Sequence, residues 1–159
     1  MAGTVDTTGL PTAFAEIAED FSAASTRQRL DLLLEFSDEL PALPERYVEH
    51  RDRMEKVDEC QSPVFLTVEV ESADGGDDPV VHLHFDAPPE APTTRGFAGI
   101  LHAGLDGLPA STLLAVPDDA PMRLGLAEAV SPLRLRGMVG MLGRIKRQVA
   151  LKTAATTRR

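Results

Sequence analysis

Two short runs of alternating residues, Val64 to Val70 and Val81 to Asp86, constrain this chain more than anything else in it. In the first, Val64, Leu66, Val68 and Val70 share one face, with Phe65, Thr67 and Glu69 between them. In the second, Val81, Leu83 and Phe85 point inward and His82, His84 and Asp86 outward. A period of two in segments rich in β-branched residues specifies strands with one apolar and one wet face. The stretch between them, Ala73 to Asp78, reads ADGGDD and is a turn by composition, so the strands pair antiparallel. Met54 to Val57 adds a short edge strand ahead of them, with Asp58-Glu59-Cys60-Gln61 as the tip of the connecting hairpin. About three strands result, and their apolar face requires a cover of helices.

The remaining apolar residues recur at helical spacing. After Pro11, residues Phe14, Ile17, Ala18 and Phe21 mark a first helix. Ser25 or Thr26 caps a second, with Leu30, Leu33, Leu34 and Ser37 on its stripe, Leu32 and Phe36 widening it, and Leu40-Pro41 ending it. These two helices are expected to cover the sheet. Glu45 to Arg51 gives one or two irregular helical turns. Thr93 or Thr94 opens a helix bearing Phe97, Ile100, Leu101 and Leu105. Its Gly96, Gly99 and Gly104 each cost roughly 1 kcal/mol against Ala, which close backbone packing would offset. Leu108-Pro109 begins a short helix to Val116, and Pro121 to Val130 forms another. Ser131-Pro132 opens the last, with Leu135, Met138, Leu142, Ile145 and Val149 spaced by 3, 4, 3 and 4. Residues 1–10 are expected to fray and 153–159 to form a polar tail. The expectation is one α+β domain over residues 1–159, its core at about 12–152, in which helices cover a small antiparallel sheet.

Composition excludes several functions. One cysteine, Cys60, allows neither an intrachain disulfide nor a multi-cysteine metal or cluster site. No apolar run approaches the roughly 20 residues of a membrane span, and the N-terminus lacks a basic segment followed by an apolar one, which points to the cytoplasm. Residues 1–122 carry 7 basic and 24 acidic side chains, net −17, whereas 123–159 carry 9 basic and 1 acidic, net +8. The acidic body and the absence of Trp argue against nucleic-acid binding, although the basic end keeps an RNA adaptor as a third reading.

Cys60 is either a reactive thiol on a turn or a small buried hydrophobe. Its neighbours Glu55, Asp58 and Glu59 raise a thiol's pKa, so the isolated protein should hold it protonated and unreactive. Arg134, a cation in the first turn of the last helix, opposes the helix dipole and is the compensating charge that the sequence suggests. His82 and His84 alternate on one strand face and His102 lies on a helix, but nothing identifies the further ligands that a metal would need, so no metal is expected. A Cys-His-Asp nucleophile can be assembled on paper from Cys60, His82 or His102, and Asp86. That leaves a self-contained hydrolase or transferase as the alternative function.

In these contexts the chain resembles the SufE family of sulfur acceptors for cysteine desulfurases. LLLEFSDELPALP resembles the family's early helix and its leucine-proline corner. Glu59-Cys60-Gln61-Ser62-Pro63-Val64-Phe65 is similar to its GCQS-x-VW centre, and Arg95-Gly96 precedes an apolar helix as it does there. Val130-Ser131-Pro132-Leu133-Arg134-Leu135-Arg136-Gly137-Met138 is similar to its L-T/S-P-x-R-x-x-G-L/M stretch. Glu59 replaces the usual Gly and Phe65 the usual Trp, which reduces freedom in the cysteine loop and sets a charge beside the sulfur. The resemblance implies a fold related to iron–sulfur scaffold proteins, with Cys60 on a loop between two strands as the sulfur-bearing residue. Gln61, Asp86 and Arg134 become pocket or docking residues, and Glu59, the departure beside the sulfur, is placed with them. It also implies a protein without a cofactor of its own, a monomer or weak homodimer. Its partners would be a pyridoxal-phosphate cysteine desulfurase and a cluster scaffold.

Overall fold

The computed structural model describes residues 5–71 and 78–157. Strands β1 (Glu55–Lys56), β2 (Phe65–Glu71) and β3 (Val80–Asp86) form an antiparallel sheet in that order. Glu55 lies opposite Leu66, and Phe65 opposite Asp86. Val64, Leu66, Val68, Val81, Leu83 and Phe85 are buried, as the alternation requires. The proposed turn of Ala73 to Asp78 falls, apart from Asp78, outside the described residues; the Asp78 carboxylate accepts hydrogen bonds from the Ser111 amide and hydroxyl.

Both edges of the sheet are occupied. Because β1 pairs with only two residues of β2, the strand's edge would be bare from Thr67 onward. The last helix, α6 (Pro132–Thr157), fills this gap with side chains. Gln148 Oε1 accepts from the Val68 amide at 2.9 Å and Lys152 Nζ donates to the Val68 carbonyl. On the other side, Val81 donates to the Leu108 carbonyl, Gly107 to the Val81 carbonyl, and the Leu83 amide to Asp106 Oδ1. Unpaired strand edges invite association with other chains, and here side chains and a connector block it.

Helix α1 (Thr12–Ala23) buries Phe14, Ile17, Ala18 and Phe21, and α2 (Thr26–Glu39) begins with a capping box between Ser25 and Gln28. Neither lies on the sheet as expected. They pack instead on α4 (Pro92–Leu105), which follows the short α3 (Glu45–Val48); α4 and α6 are the long helices that pack on the strands. The reason lies in α4 itself, which buries residues on every side, among them Gly96, Phe97, Ala98, Gly99, Ile100 and Leu101, and so serves as a central element. The α2 stripe is rotated accordingly. Leu33, Ser37 and Leu40 are buried with Phe36 half-buried, while Leu30 and Leu34 stand in solvent. A Cβ on Gly96 would lie 2.5 Å from the Leu33 carbonyl oxygen, and one on Gly99 would lie 2.1 Å from that of Phe36. Backbone thus packs on backbone, as the glycines predict. Arg95 bolts the junction, donating from Nε to the Ser37 carbonyl at 3.0 Å and from Nη1 to the Ala87 carbonyl at 2.7 Å.

Three further expectations are corrected. Residues 5–10 are held in place, because Arg123 Nη1 donates to the carbonyls of Thr8 and Asp6 while Val5 and Leu10 pack against the core. After α5 (Ala110–Leu114), the stretch read as a helix from Pro121 to Val130 is two 3₁₀ turns, Ala120–Leu124 and Leu126–Glu128. They are separated by Gly125 at φ 69°, a left-handed residue that ends one turn and starts the next. Helix α6 continues to Thr157 through much of the polar tail. Several of its cations pair with the body of the molecule: Lys146 Nζ reaches the Val116 carbonyl and Asp118, both at 2.7 Å, and Arg144 and Arg147 both reach Glu55. The basic end therefore neutralises part of the acidic body within one molecule. Among the described residues no helix is long and apolar enough to cross a membrane.

Candidate functional site

The loop that carries Cys60 is fixed at its base by backbone. Val57 donates to the Val64 carbonyl at 2.9 Å, closing the loop next to β1 and β2, and the Cys60 amide donates to the Val57 carbonyl at 3.1 Å. Cys60 therefore sits on a tight turn between two strands, as the hairpin reading expects, and its side chain is half-buried. What buries it is α6. Sγ lies 2.9 Å from the point where a Cβ on Gly137 would stand, and the neighbouring Glu59 Oε2 lies 2.0 Å from the equivalent point on Gly140. Two glycines three residues apart on one helix face leave a bare backbone strip on which the loop rests.

Charge around the sulfur comes from both elements. Arg144 on α6 donates to Glu59 from Nε at 3.3 Å and from Nη2, and its Nη1 binds Glu55. Glu55 also accepts from Arg147 and, at 2.9 Å, from Gln148 Nε2. Burial pushes the Glu55 carboxyl up, but these three donors together bring it below its ordinary value. Arg144 does the same for Glu59. The Cys60 thiol is pushed up to about 11, first by burial and then by the charge of Glu59, with Arg144 acting in the opposite direction. The direction matches the expectation from sequence; the leading cause is desolvation rather than neighbouring anions.

Beside the thiol opens a cavity of about 230 Å³ lined by Glu59, Cys60, Gln61, Ser62, the 90–94 segment at the start of α4, Leu133 and Arg134. Three sequence candidates, Glu59, Gln61 and Arg134, thus meet Cys60 in one space. Arg134 reaches across it to Thr93, Nη1 to Oγ1 at 3.4 Å, and its amide is capped by Ser131 Oγ at 3.3 Å. A second cation, which the dipole argument does not suggest, also bears on the sulfur: Arg144 acts to lower the thiol against burial and Glu59. Asp86 is not in this cavity; its carboxylate pairs with Arg51 Nε at the end of β3. No histidine lines the Cys60 cavity either. His82, His84 and His102 border a separate one of about 290 Å³, where His82 Nε2 is 3.1 Å from Glu71 and His84 pairs with Glu69. The paper triad of Cys60, a histidine and Asp86 is not assembled. Among the described residues no three His, Cys, Asp or Glu side chains are grouped so as to hold a metal ion.

Sequence reasoning quoted Gly137 only as part of the family-like stretch and gave no role to it, to Gly140 or to Arg144. A signal was available: steps of three and four place all three on one face of the last helix, and glycine inside a helix calls for a reason.

Residues 15–149 match the family model of SufE, described as an Fe–S metabolism associated domain. The chain is 56% identical over 140 residues to an uncharacterised SufE-like protein of Mycobacterium tuberculosis, covering 88% of this chain and 93% of that one. It is 27% identical over 134 residues to SufE-like protein 1, chloroplastic/mitochondrial, of Arabidopsis thaliana, covering 84% of this chain and 33% of that one. The solution structure of a hypothetical protein from Thermus thermophilus superposes with a TM-score of 0.74 at 36% identity, over 92% of this chain and 98% of that one.

Proposed function

Because this chain belongs to the SufE family and so to iron–sulfur metabolism, we propose that it accepts sulfur on Cys60 from a cysteine desulfurase and passes it on to a cluster-assembly scaffold. The Cys60 thiolate attacks the outer sulfur of the desulfurase's cysteine persulfide. A new bond forms from Sγ to that sulfur, the donor's S–S bond breaks, and the donor cysteine leaves as thiolate, so the exchange has no net oxidant or reductant. A second attack, by a thiolate on the scaffold, moves the outer sulfur on and restores Cys60. Pyridoxal phosphate belongs to the desulfurase, and the acceptor needs no cofactor. Both events take place in the cytoplasm.

The observation that carries this reading is the state of the thiol. Cys60 is the chain's only cysteine, and in the free protein it is kept protonated by burial and by Glu59, with no histidine in its cavity to act as base. A self-contained hydrolase or transferase needs its nucleophile activated at rest. A carrier that reacts only inside a complex benefits from a quiet thiol, since a free thiolate would be oxidised or alkylated.

The test is incubation with a cognate desulfurase, cysteine and reductant, read by intact mass. One added sulfur should appear on the parent protein and none on Cys60→Ser, whose fold the exchange leaves unchanged because it replaces one atom in a turn. The Ser variant should also fail to stimulate the desulfurase. Full stimulation by that variant would sink the persulfide route.

A further inference from the structure

Glu59 stands where the family usually has Gly, and its surroundings are built for it. Its carboxylate takes two donors from Arg144, which is itself fixed through Glu55, and Asp58 lies 3.9 Å from the same guanidinium. The carboxylate could not sit as it does over any residue with a side chain, since its Oε2 is 2.0 Å from the Cβ position of Gly140. One residue along the loop, Cys60 Sγ is pressed to Gly137 in the same way. Glu59 also divides the cysteine cavity from an apolar groove of about 460 Å³ bordered by Met122, Pro132 and Val139. Next to the sulfur, the loop is therefore fastened to α6 by a side chain that faces solvent on its other flank.

We propose that the Glu59–Arg144 pair seated on Gly140 is a latch that holds Cys60 against α6 and has to open before the sulfur can react. Glu59, Arg144 and Gly140 are positioning residues, and the latch's purpose rests on the sulfur-acceptor reading. With the pair released, the backbone bonds of Val57 to Val64 at the loop's base and of the Cys60 amide to Val57 remain, neither of which holds the thiol side chain, and Sγ can leave the Gly137 surface for water or for a partner. The charged groups facing the latch are Glu55 and Asp58 on the strand and loop side, Arg144 and Arg147 on α6, Arg134 and Glu90 across the cysteine cavity, and Arg136 across the apolar groove. The loop side is acidic, so a lysine or arginine of the partner is the group suited to take Glu59 from Arg144.

The latch makes a prediction that a simple field effect does not. If Glu59 and Arg144 acted on the thiol only through their charges, removing the anion would favour the thiolate and removing the cation would disfavour it, so the two substitutions would move reactivity in opposite directions. A latch is opened by either. Alkylation of Cys60 by iodoacetamide in the free protein, followed by intact mass across a pH series, separates the two. Glu59→Gln, Arg144→Gln and Gly140→Ala should each alkylate about tenfold faster at neutral pH, the effect of roughly one pKa unit on the thiolate fraction. The midpoint of each pH profile should fall below the parent's, which lies near 11. Gly140→Ala changes no charge and displaces only the mobile end of Glu59, so it keeps the test valid should Arg144→Gln unfold the α6 junction. Gly143→Ala, where a Cβ meets nothing within 4 Å, should behave as the parent. A slower Arg144→Gln beside a faster Glu59→Gln, or an unchanged rate in Gly140→Ala, overturns the latch. No desulfurase enters this measurement, so failure of the latch leaves sulfur acceptance standing. Absence of sulfur on Cys60 in the desulfurase assay would in turn leave the latch standing.

Discussion

Two helices of this protein carry glycines three residues apart, and the two pairs do opposite work. On α4, Gly96 and Gly99 meet the backbone carbonyls of Leu33 and Phe36 in α2. On α6, Gly137 and Gly140 meet the sulfur of Cys60 and the carboxylate of Glu59. Both seams are closer than any residue with a Cβ would permit. In the first, the facing atoms belong to a helix that is itself fixed by a capping box and by Arg95, so nothing can retreat. In the second, they are the ends of side chains on a loop. Close approach alone does not make a contact rigid; the freedom of the opposing atom decides that, and the same spacing gives a structural weld in one place and a releasable seat in the other.

The largest expected effect lies at the weld. Gly99→Ala would set its Cβ 2.1 Å from a backbone oxygen, and either α2 or α4 must move, with the buried Leu33, Phe97 and Ile100 between them. A loss of about 3 kcal/mol or more is expected, in the upper range for overpacking of a core. Gly140→Ala, with an equally short nominal contact, should lose no more than about 1 kcal/mol, because Glu59 can swing into solvent at the cost of one partly exposed ion pair. Urea denaturation of both variants checks this. Equal losses would mean that the cysteine loop is as rigid as the helix seam, and the distinction between them would go.

The two seams were unequally visible in the sequence. The first could be read because glycines at 96, 99 and 104 in an apolar helix demand compensation, and backbone packing is the physical means available. The strands were legible for a similar reason: alternation of Val, Leu and Phe with polar residues has one structural solution, and Cys60 at the hairpin tip followed from it. The second seam was hidden, because Arg144 meets Glu59 across 85 positions and no local pattern encodes that pairing. Arg134 was instead singled out by an argument about its own helix turn, which says where a cation is unfavourable and not what it faces. The placing of α1 and α2 failed likewise. Their stripes show that one face is buried, but not that α4, apolar on all sides, would be the element to bury it.

A smaller effect separates the two arginines of α6 that flank the loop. Arg134 lines the cavity and reaches Thr93, while Arg144 holds Glu59 from below. Arg134→Gln should therefore leave alkylation of Cys60 by a neutral reagent unchanged and slow acceptance of sulfur from a desulfurase several-fold, about 1 kcal/mol, since an incoming persulfide anion meets that guanidinium and iodoacetamide does not. Single-turnover transfer measured beside alkylation gives both numbers. A matching drop in both would show that Arg134 acts on the resting thiol, and the softness of this region would then depend on two cations instead of one.

The smallest effect, and the control for all the others, is at the third glycine of the α6 row. Gly143 continues the spacing of Gly137 and Gly140, yet it is exposed and a Cβ there finds nothing within 4 Å. With no close neighbour to require it, only the intrinsic cost of glycine in a helix remains, so Gly143→Ala should stabilise the protein by about 0.5–1 kcal/mol. The three substitutions Gly99→Ala, Gly140→Ala and Gly143→Ala then form a graded series in which helix propensity favours Ala at every position and the facing atoms alone set the outcome: backbone, side-chain end and open solvent. A destabilised Gly143→Ala would mean that α6 resists alanine for a reason of its own, and the small loss expected at Gly140 could no longer be assigned to the displacement of Glu59.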